Sequence, residues 1–349
     1  MAEKCQSAGR KGIGAKRHCP KVMAKIQSPI FEGCPAGETP PLRLQTHLTA
    51  LLLSVQHPDG GWGYRLGSSS SAVEPTSWAL MALSTVAKQA GSPKAADRGL
   101  CWLSGSQLAD GSWPQFPGQI QGCWATSLAC RAHSVYSARQ PEFCEIPLAR
   151  GLEWLCNSAP GEDSWRSRLR FRLTPSSSSR ASGAYGWSWT KNTSSWVEPT
   201  AHALLALRAA PSAFLPKRAK ARIARAERFL YTRRCPHEGW DVGNPSGDGF
   251  ARTPQEECTA WALMALSSHA DRTDVKSGID WLESRAPFLK GWARRAVVQL
   301  CLQAYGRAAD LLPSDPWTIG ESQGILAASW MALAADGSWP ASAASLEGN

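Results

Sequence analysis

The sequence predicts an all-α protein built from repeated helical hairpins, and three observations carry that expectation. A pattern of small residue, two variable positions, aromatic and Leu recurs along the chain. A Gly-rich turn ending in Trp follows it. A strongly apolar stretch opening on Glu-Pro-Thr or Glu-Cys-Thr comes next. Self-similarity at a fixed period is the mark of a repeat array, in which each unit buries its apolar face against its neighbours.

The first pattern reads Gly99-Leu-Cys-Trp102-Leu103 and Gly151-Leu-Glu-Trp154-Leu155, then Ala226-Glu-Arg-Phe229-Leu230 and Gly278-Ile-Asp-Trp281-Leu282. Leu148, Leu152 and Leu155 give the i, i+4, i+7 stripe of an amphipathic helix with one apolar side, as expected for the outer member of each hairpin. The turn reads Gln56-His-Pro-Asp-Gly-Gly-Trp62-Gly and Gln107-Leu-Ala-Asp-Gly-Ser-Trp113, with weaker copies ending at Trp240 and Trp339. Asp-Gly suits the left-handed backbone of a tight turn, and the Trp can fold back between hairpins.

The helices after the turns begin at Glu74-Pro-Thr-Ser-Trp78, Glu198-Pro-Thr-Ala-His202 and Glu257-Cys-Thr-Ala-Trp261. Pro in the first turn is tolerated because its missing N–H has no helical partner there. A helix that is apolar nearly all round is buried on all sides, so these are the inner helices.

Trp102 and Trp154 are 52 residues apart, as are Phe229 and Trp281, but Trp154 and Phe229 are separated by 75. The surplus falls on a Ser/Arg-rich stretch near 159–184, read as an inserted loop. Residues 1–40 are basic and show no apolar period, so a disordered tail is expected there.

The chain has 349 residues, 17 of them Trp, and a formal charge of +10. The charge fits a basic surface, or attraction to a diphosphate or an anionic membrane. Without a zinc-finger, RNA-binding or basic-zipper signature it does not indicate nucleic acid. Eleven Cys with no Cys-x-x-Cys pair point to a reducing, cytoplasmic setting. No apolar run approaches the ~20 residues that span a bilayer, and the basic N-terminus lacks the apolar segment of a signal peptide.

Gln-x-x-Asp-Gly-Gly-Trp-Gly at Gln56–Gly63, followed by Glu-Pro-Thr, resembles the QW motif of the squalene cyclases. The chain resembles the prenyltransferase/squalene-oxidase repeat group over about residues 45–340. The resemblance implies an α/α toroid of five to six hairpins, inner helices ringed by outer ones, with an isoprenoid or other hydrophobic lipid ligand. Terpene cyclases of this kind start their reaction by protonating an alkene or epoxide with a buried carboxylic acid. The family's Asp-x-Asp-Asp-Thr-Ala motif is missing here. Read through the Thr, Glu74, Glu198 and Glu257 stand in its place, with Glu321 as a further acid, and none has the second Asp.

A carboxyl kept neutral by burial can serve as that acid. A Glu in the first helical turn can equally serve the helix dipole and the orphan N–H groups. His202 lies one turn after Glu198, where the two can share a proton. Trp78, Trp124, Trp187 and Trp261 would line the cavity, their faces suited to carbocations. No cofactor is required, although magnesium or zinc would fit the wider resemblance. Glu256 and Cys258 resemble part of the zinc set of protein prenyltransferases, with only His202 or His237 to complete it. Arg166, Arg168, Arg170 and Arg172, and the basic outer helix Lys217–Arg228, could meet a diphosphate or anionic headgroups.

Four functions therefore remain open, zinc-dependent prenyl transfer among them. One is proton-initiated cyclisation of a polyprenyl or triterpene substrate. Another is non-catalytic lipid or protein binding. The last is carbohydrate chemistry in an open cleft.

Overall fold

The computed structural model describes residues 39–86, 91–158, 160, 184–236, 238–243, 253–313 and 324–337. The basic tail, most of the insertion with its arginines, His237, Glu321 and Trp339 lie outside them. Eleven α-helices are described: α1 (Pro40–Ser54), α2 (Val73–Thr85), α3 (Ser92–Gly105), α4 (Ala125–Tyr136), α5 (Pro141–Asn157), α6 (Val197–Ala209), α7 (Ala219–Thr232), α8 (Glu256–Ala265), α9 (Thr273–Arg285), α10 (Trp292–Ala304) and α11 (Ile325–Asp336). No helix among the described residues is long and apolar enough to cross a membrane.

The packing order is that of a closed ring. Helix α2 packs on α4, α4 on α6, α6 on α8, α8 on α10, α10 on α11, and α11 returns to α2. Outside this ring, α3, α5, α7 and α9 each lie mainly against the inner helix that precedes them, and α1 lies against α11. The first helix thus covers the last, and the expected α/α toroid closes between the two ends of the described chain. Burial follows the sequence pattern. In α2 every residue from Val73 to Leu83 is buried, whereas α3 buries only a stripe of Ala95, Ala96, Gly99, Leu100 and Leu103 with Ser92.

The Trp turns are the joints of this array. The indole N–H groups of Trp62, Trp113, Trp187 and Trp240 donate to the carbonyls of Leu52, Leu103, Leu155 and Leu230, at 2.8, 2.7, 3.0 and 2.7 Å. Their backbone N–H groups each donate at 2.9 Å to Thr76, Thr126, Thr200 and Thr259 at the start of the inner helix. One residue therefore ties the end of an outer helix to the beginning of the next inner one. Trp62, Trp113 and Trp240 are fully buried, and truncating such a core indole to Ala costs about 3–5 kcal/mol.

The other motif positions reach the following hairpin. Gln56 donates to Gly60 and to Ala95, and Gln107 to Gly111 and to Pro147. Asp59 and Asp110 accept from the indoles of Trp102 and Trp154 on the next outer helices. The small residue of the outer pattern is small for contact reasons. A Cβ on Gly99, Gly151 or Gly278 would meet the ring of Trp62, Trp113 or Trp240 at 3.0, 2.6 and 2.9 Å. Gly60 and Gly111 have φ of +98° and +90°, the left-handed turn that Asp-Gly suggested.

A second set of joints runs backwards round the ring. The carbonyl two residues beyond each turn Trp accepts the N–H at the start of the preceding inner helix. Gln115 accepts from Val73, Trp189 from Trp124, and Val242 from Val197. Tyr64 accepts from Ile325 in the same way, which joins the first hairpin to α11.

Candidate active site

These joints put the inner-helix amino ends on one rim and fix their register. Two residues before the rim threonines stand Glu74, Trp124, Glu198 and Glu257. Two residues after them stand Trp78, Leu128, His202 and Trp261. Trp330 joins the second layer, five residues after Ile325, as Trp78 is after Val73 and His202 after Val197. The sequence therefore stacks an acidic and aromatic layer at the mouth upon an aromatic layer below it.

The lower layer fills the axis. Trp78 lies 5.9 Å from His202, 5.5 Å from Trp261 and 5.7 Å from Trp330, centroid to centroid. His202 lies 4.6 Å from Trp261 and 5.8 Å from Trp124, and Trp261 lies 5.9 Å from Trp330. Such tilted and edge-on pairs are favourable beyond the area they bury. Just below, the Arg131 guanidinium is buried over the Trp78 ring at 5.2 Å, and burial draws its pKa down to about 9. Among the described residues, the indole nitrogens of Trp78 and Trp330 and Nδ1 of His202 have no hydrogen-bond partner.

The three rim glutamates differ sharply. Glu74 is buried, and its pKa is pushed up to about 7. Burial is the chief cause, the hydrogen bond from Tyr64 works against it, and the charge of Glu198 adds to it. The Tyr64 hydroxyl donates to Glu74 Oε2 at 2.6 Å while its oxygen accepts from Gln115 Nε2 at 2.9 Å. Such a donor steadies the carboxylate left when the proton departs, so the acid is neutral when loaded and readily discharged.

The Glu198 side chain is 30% exposed, with Oε1 3.7 Å from His202 Nε2. His202 is buried, and burial lowers its pKa against the opposing pull of Glu198. At this separation the two are neighbours rather than a tight pair. Glu257 is 44% exposed and bonded to Arg294 Nε at 3.2 Å, at the outside of the rim. Glu256 is bonded to Arg285.

Trp78, Trp124 and Trp261 thus sit together with Glu74, Glu198 and His202. Trp187 does not join them: it is the turn tryptophan of its hairpin, with Arg222 stacked on its ring at 3.5 Å. Its turn reads Ala184-Tyr-Gly-Trp187 and lacks the Asp-Gly or Glu-Gly of the other copies, which hid the equivalence. Cys258 is buried, and burial is the chief cause that pushes its thiol up to about 12. Among the described residues no three His, Cys, Asp or Glu side chains converge as a metal site requires.

Tyr64, Gln115, Trp330 and Arg131 are the site residues that motif reading missed. Tyr64 and Gln115 did have a signal, since both stand two positions after a turn Trp. That position faces the mouth only because the turns lie side by side.

No family profile matches the chain, and no curated protein matches it. Solved structures do resemble it. An α-amylase from Clostridium perfringens is 10% identical with a TM-score of 0.58, over 87% of this chain and 99% of that one. A β-1,3-1,4-glucanase from Paenibacillus sp. X4 is 9% identical with a TM-score of 0.52, over 87% and 94%. The type II terpene cyclase MstE from Scytonema is 18% identical over 71% and 79%, in a looser superposition with a TM-score of 0.36. At such identities the likeness is one of fold.

Proposed function

We propose that the chain is an acid-initiating enzyme in which Glu74 protonates an unsaturated isoprenoid lying across the mouth of the toroid. The observation that carries this reading is the state of Glu74: a buried carboxyl with its pKa pushed up to about 7, four positions before Trp78 of the indole layer on the same helix. Protonation of an alkene moves the proton from Glu74 to carbon and leaves a carboxylate and a carbocation. The Tyr64 hydroxyl donates to the carboxylate, and the faces of Trp124 and Trp78 oppose the cation. Glu198 and His202 can return a proton to Glu74 from the exposed side of the rim.

The test is incubation of the purified protein with squalene, farnesyl diphosphate and geranylgeranyl diphosphate, with and without magnesium, read by mass spectrometry of the organic extract. A cyclised product that disappears in Glu74→Gln supports the proposal. Turnover unchanged in Glu74→Gln removes Glu74 from the chemistry.

The filled axis favours a second reading, a non-catalytic toroid that holds a lipid at its rim. Absence of turnover together with retention of radiolabelled squalene would select it. Soluble α- and β-glucans belong in the same assay, because Glu74 and Glu198 put two interacting carboxyls at one rim.

A further inference from the structure

A cavity of about 220 Å³ opens beside the mouth, between α4, α6 and the carboxyl end of α5. Cys123 and Trp124 border it on the side of the mouth, where the Cys123 thiol feels the charge of Glu74 and the Trp124 ring meets His202. Its apolar wall carries the indoles of Trp124, Trp154 and Trp187 with Leu155, Pro199 and Ala203.

The polar groups of the wall are of two kinds. Ser127, Ser158 and Ser188 spend their hydroxyl protons on the carbonyls of Trp124, Leu155 and Thr190, at 2.7, 3.0 and 2.7 Å. Their oxygens are left as acceptors. Lys191 is exposed at the edge, and its ammonium only donates. Asp110, whose carboxyl lies in the field of Lys191, is already committed to Ser112 and to the Trp154 indole.

The charge around the cavity is positive. The Arg222 guanidinium stacks on the Trp187 ring at 3.5 Å. Arg218, itself paired with Glu153 at 3.5 Å, donates to the Asn157 oxygen. Lys191 is the third cation, and no carboxylate lines the cavity among the described residues. Such surroundings repel a cation and favour an anion.

We propose that this cavity binds a hydroxylated aromatic carboxylate, with its ring among the indoles, its carboxylate at Lys191 and its phenol hydroxyl donating to the serine oxygens. A planar ring gains from stacked or edge-on contact with indoles. A carboxylate on an ammonium makes a charge-assisted hydrogen bond. The volume is below that of a site for a large ligand and suits a guest of one or two rings. The proposal does not depend on Glu74 being a catalytic acid.

The test is calorimetric titration of the full chain with 4-hydroxybenzoate, with its neutral amide 4-hydroxybenzamide, and with benzoate. The hydroxy acid is expected to bind about tenfold more tightly than the amide, the worth of one hydrogen bond to a charged group. It should bind severalfold more tightly than benzoate, which lacks the phenol donor. Trp154 also holds Asp110, so a variant of the wall would disturb a hairpin joint, and Lys191→Met at the exposed edge avoids this. Lys191→Met is expected to erase the preference for acid over amide while the amide binds as before. No binding of 4-hydroxybenzoate by the native chain, equal binding of acid and amide, equal binding of 4-hydroxybenzoate and benzoate, or a preference that survives Lys191→Met would each overturn the assignment.

Discussion

The backbone N–H of Ile325 donates to the carbonyl of Tyr64 at 3.0 Å. That bond closes the ring between the first hairpin and the last inner helix, and the hydroxyl of the same tyrosine holds Glu74. Ring closure and acid geometry therefore share one residue. A change at either end of the described chain should be legible in the state of Glu74.

Gly324 is where this coupling can be cut. A Cβ there would stand 2.2 Å from the Tyr64 carbonyl oxygen, which backbone cannot easily yield. Gly324→Ala should destabilise the fold by about 1–3 kcal/mol, the usual size of a forced overpacking. It should also displace the Glu74 titration. Chemical denaturation measures the first and carbon-13 NMR of the carboxyl the second. An unchanged midpoint would mean that the ends of the ring are free to part.

Glu74 leaves a signature in the pH dependence of stability. Its folded pKa of about 7 lies above the ordinary value of 4.5. Between these two values the folded state holds the proton more tightly than the unfolded chain. Stability is therefore greatest below 4.5, falls as pH rises towards 7, and is level above it. The loss is on the order of 3 kcal/mol. His133, held at about 4 by burial, and the lowered His202 slope the other way, losing stability as pH falls below the ordinary histidine value. The difference between native protein and Glu74→Gln, followed by denaturant titration across pH, isolates the Glu74 contribution. Parallel curves would refute its raised pKa.

Removing the Tyr64 hydroxyl should raise the Glu74 pKa further, because that hydrogen bond opposes the effect of burial. Tyr64→Phe is expected to move the alkaline limb of any pH–rate profile, where the proton on Glu74 is lost, to higher pH and to slow turnover. Glu74→Gln should cost the 10²–10⁴-fold typical of a lost general acid. A Tyr64→Phe profile that coincides with the native one would separate the tyrosine from the acid.

The hairpin joints are expected to be equivalent in energy where they are equivalent in geometry. Thr126→Val removes the acceptor of the Trp113 N–H and leaves a buried donor unsatisfied, which costs about 1–3 kcal/mol. Thr76→Val should cost a similar amount, since its bond to Trp62 has the same 2.9 Å length. Thermal unfolding of the two variants checks this, and a wide disparity would show that the joints are unequally loaded.

Inner and outer helices were legible in the chain because burial leaves a periodic trace. An all-apolar Glu-Pro-Thr helix has no side free for water, and an outer helix has one. The turns were legible because Asp-Gly-x-Trp encodes a left-handed backbone and a large ring to bury. Even the acidic rim could be placed, since Glu74, Glu198 and Glu257 hold one register ahead of Thr76, Thr200 and Thr259.

Tertiary structure decided what that register could not, which is how three equivalent positions become chemically unlike. Glu74 is enclosed by Tyr64 from its own turn and Gln115 from the next, Glu257 is drawn outward by Arg294, and Glu198 stands between burial and water. The protonation of a carboxyl depends on the dielectric and charges within a few ångströms. Those neighbours come from other hairpins, so their arrangement exists only once the ring has closed.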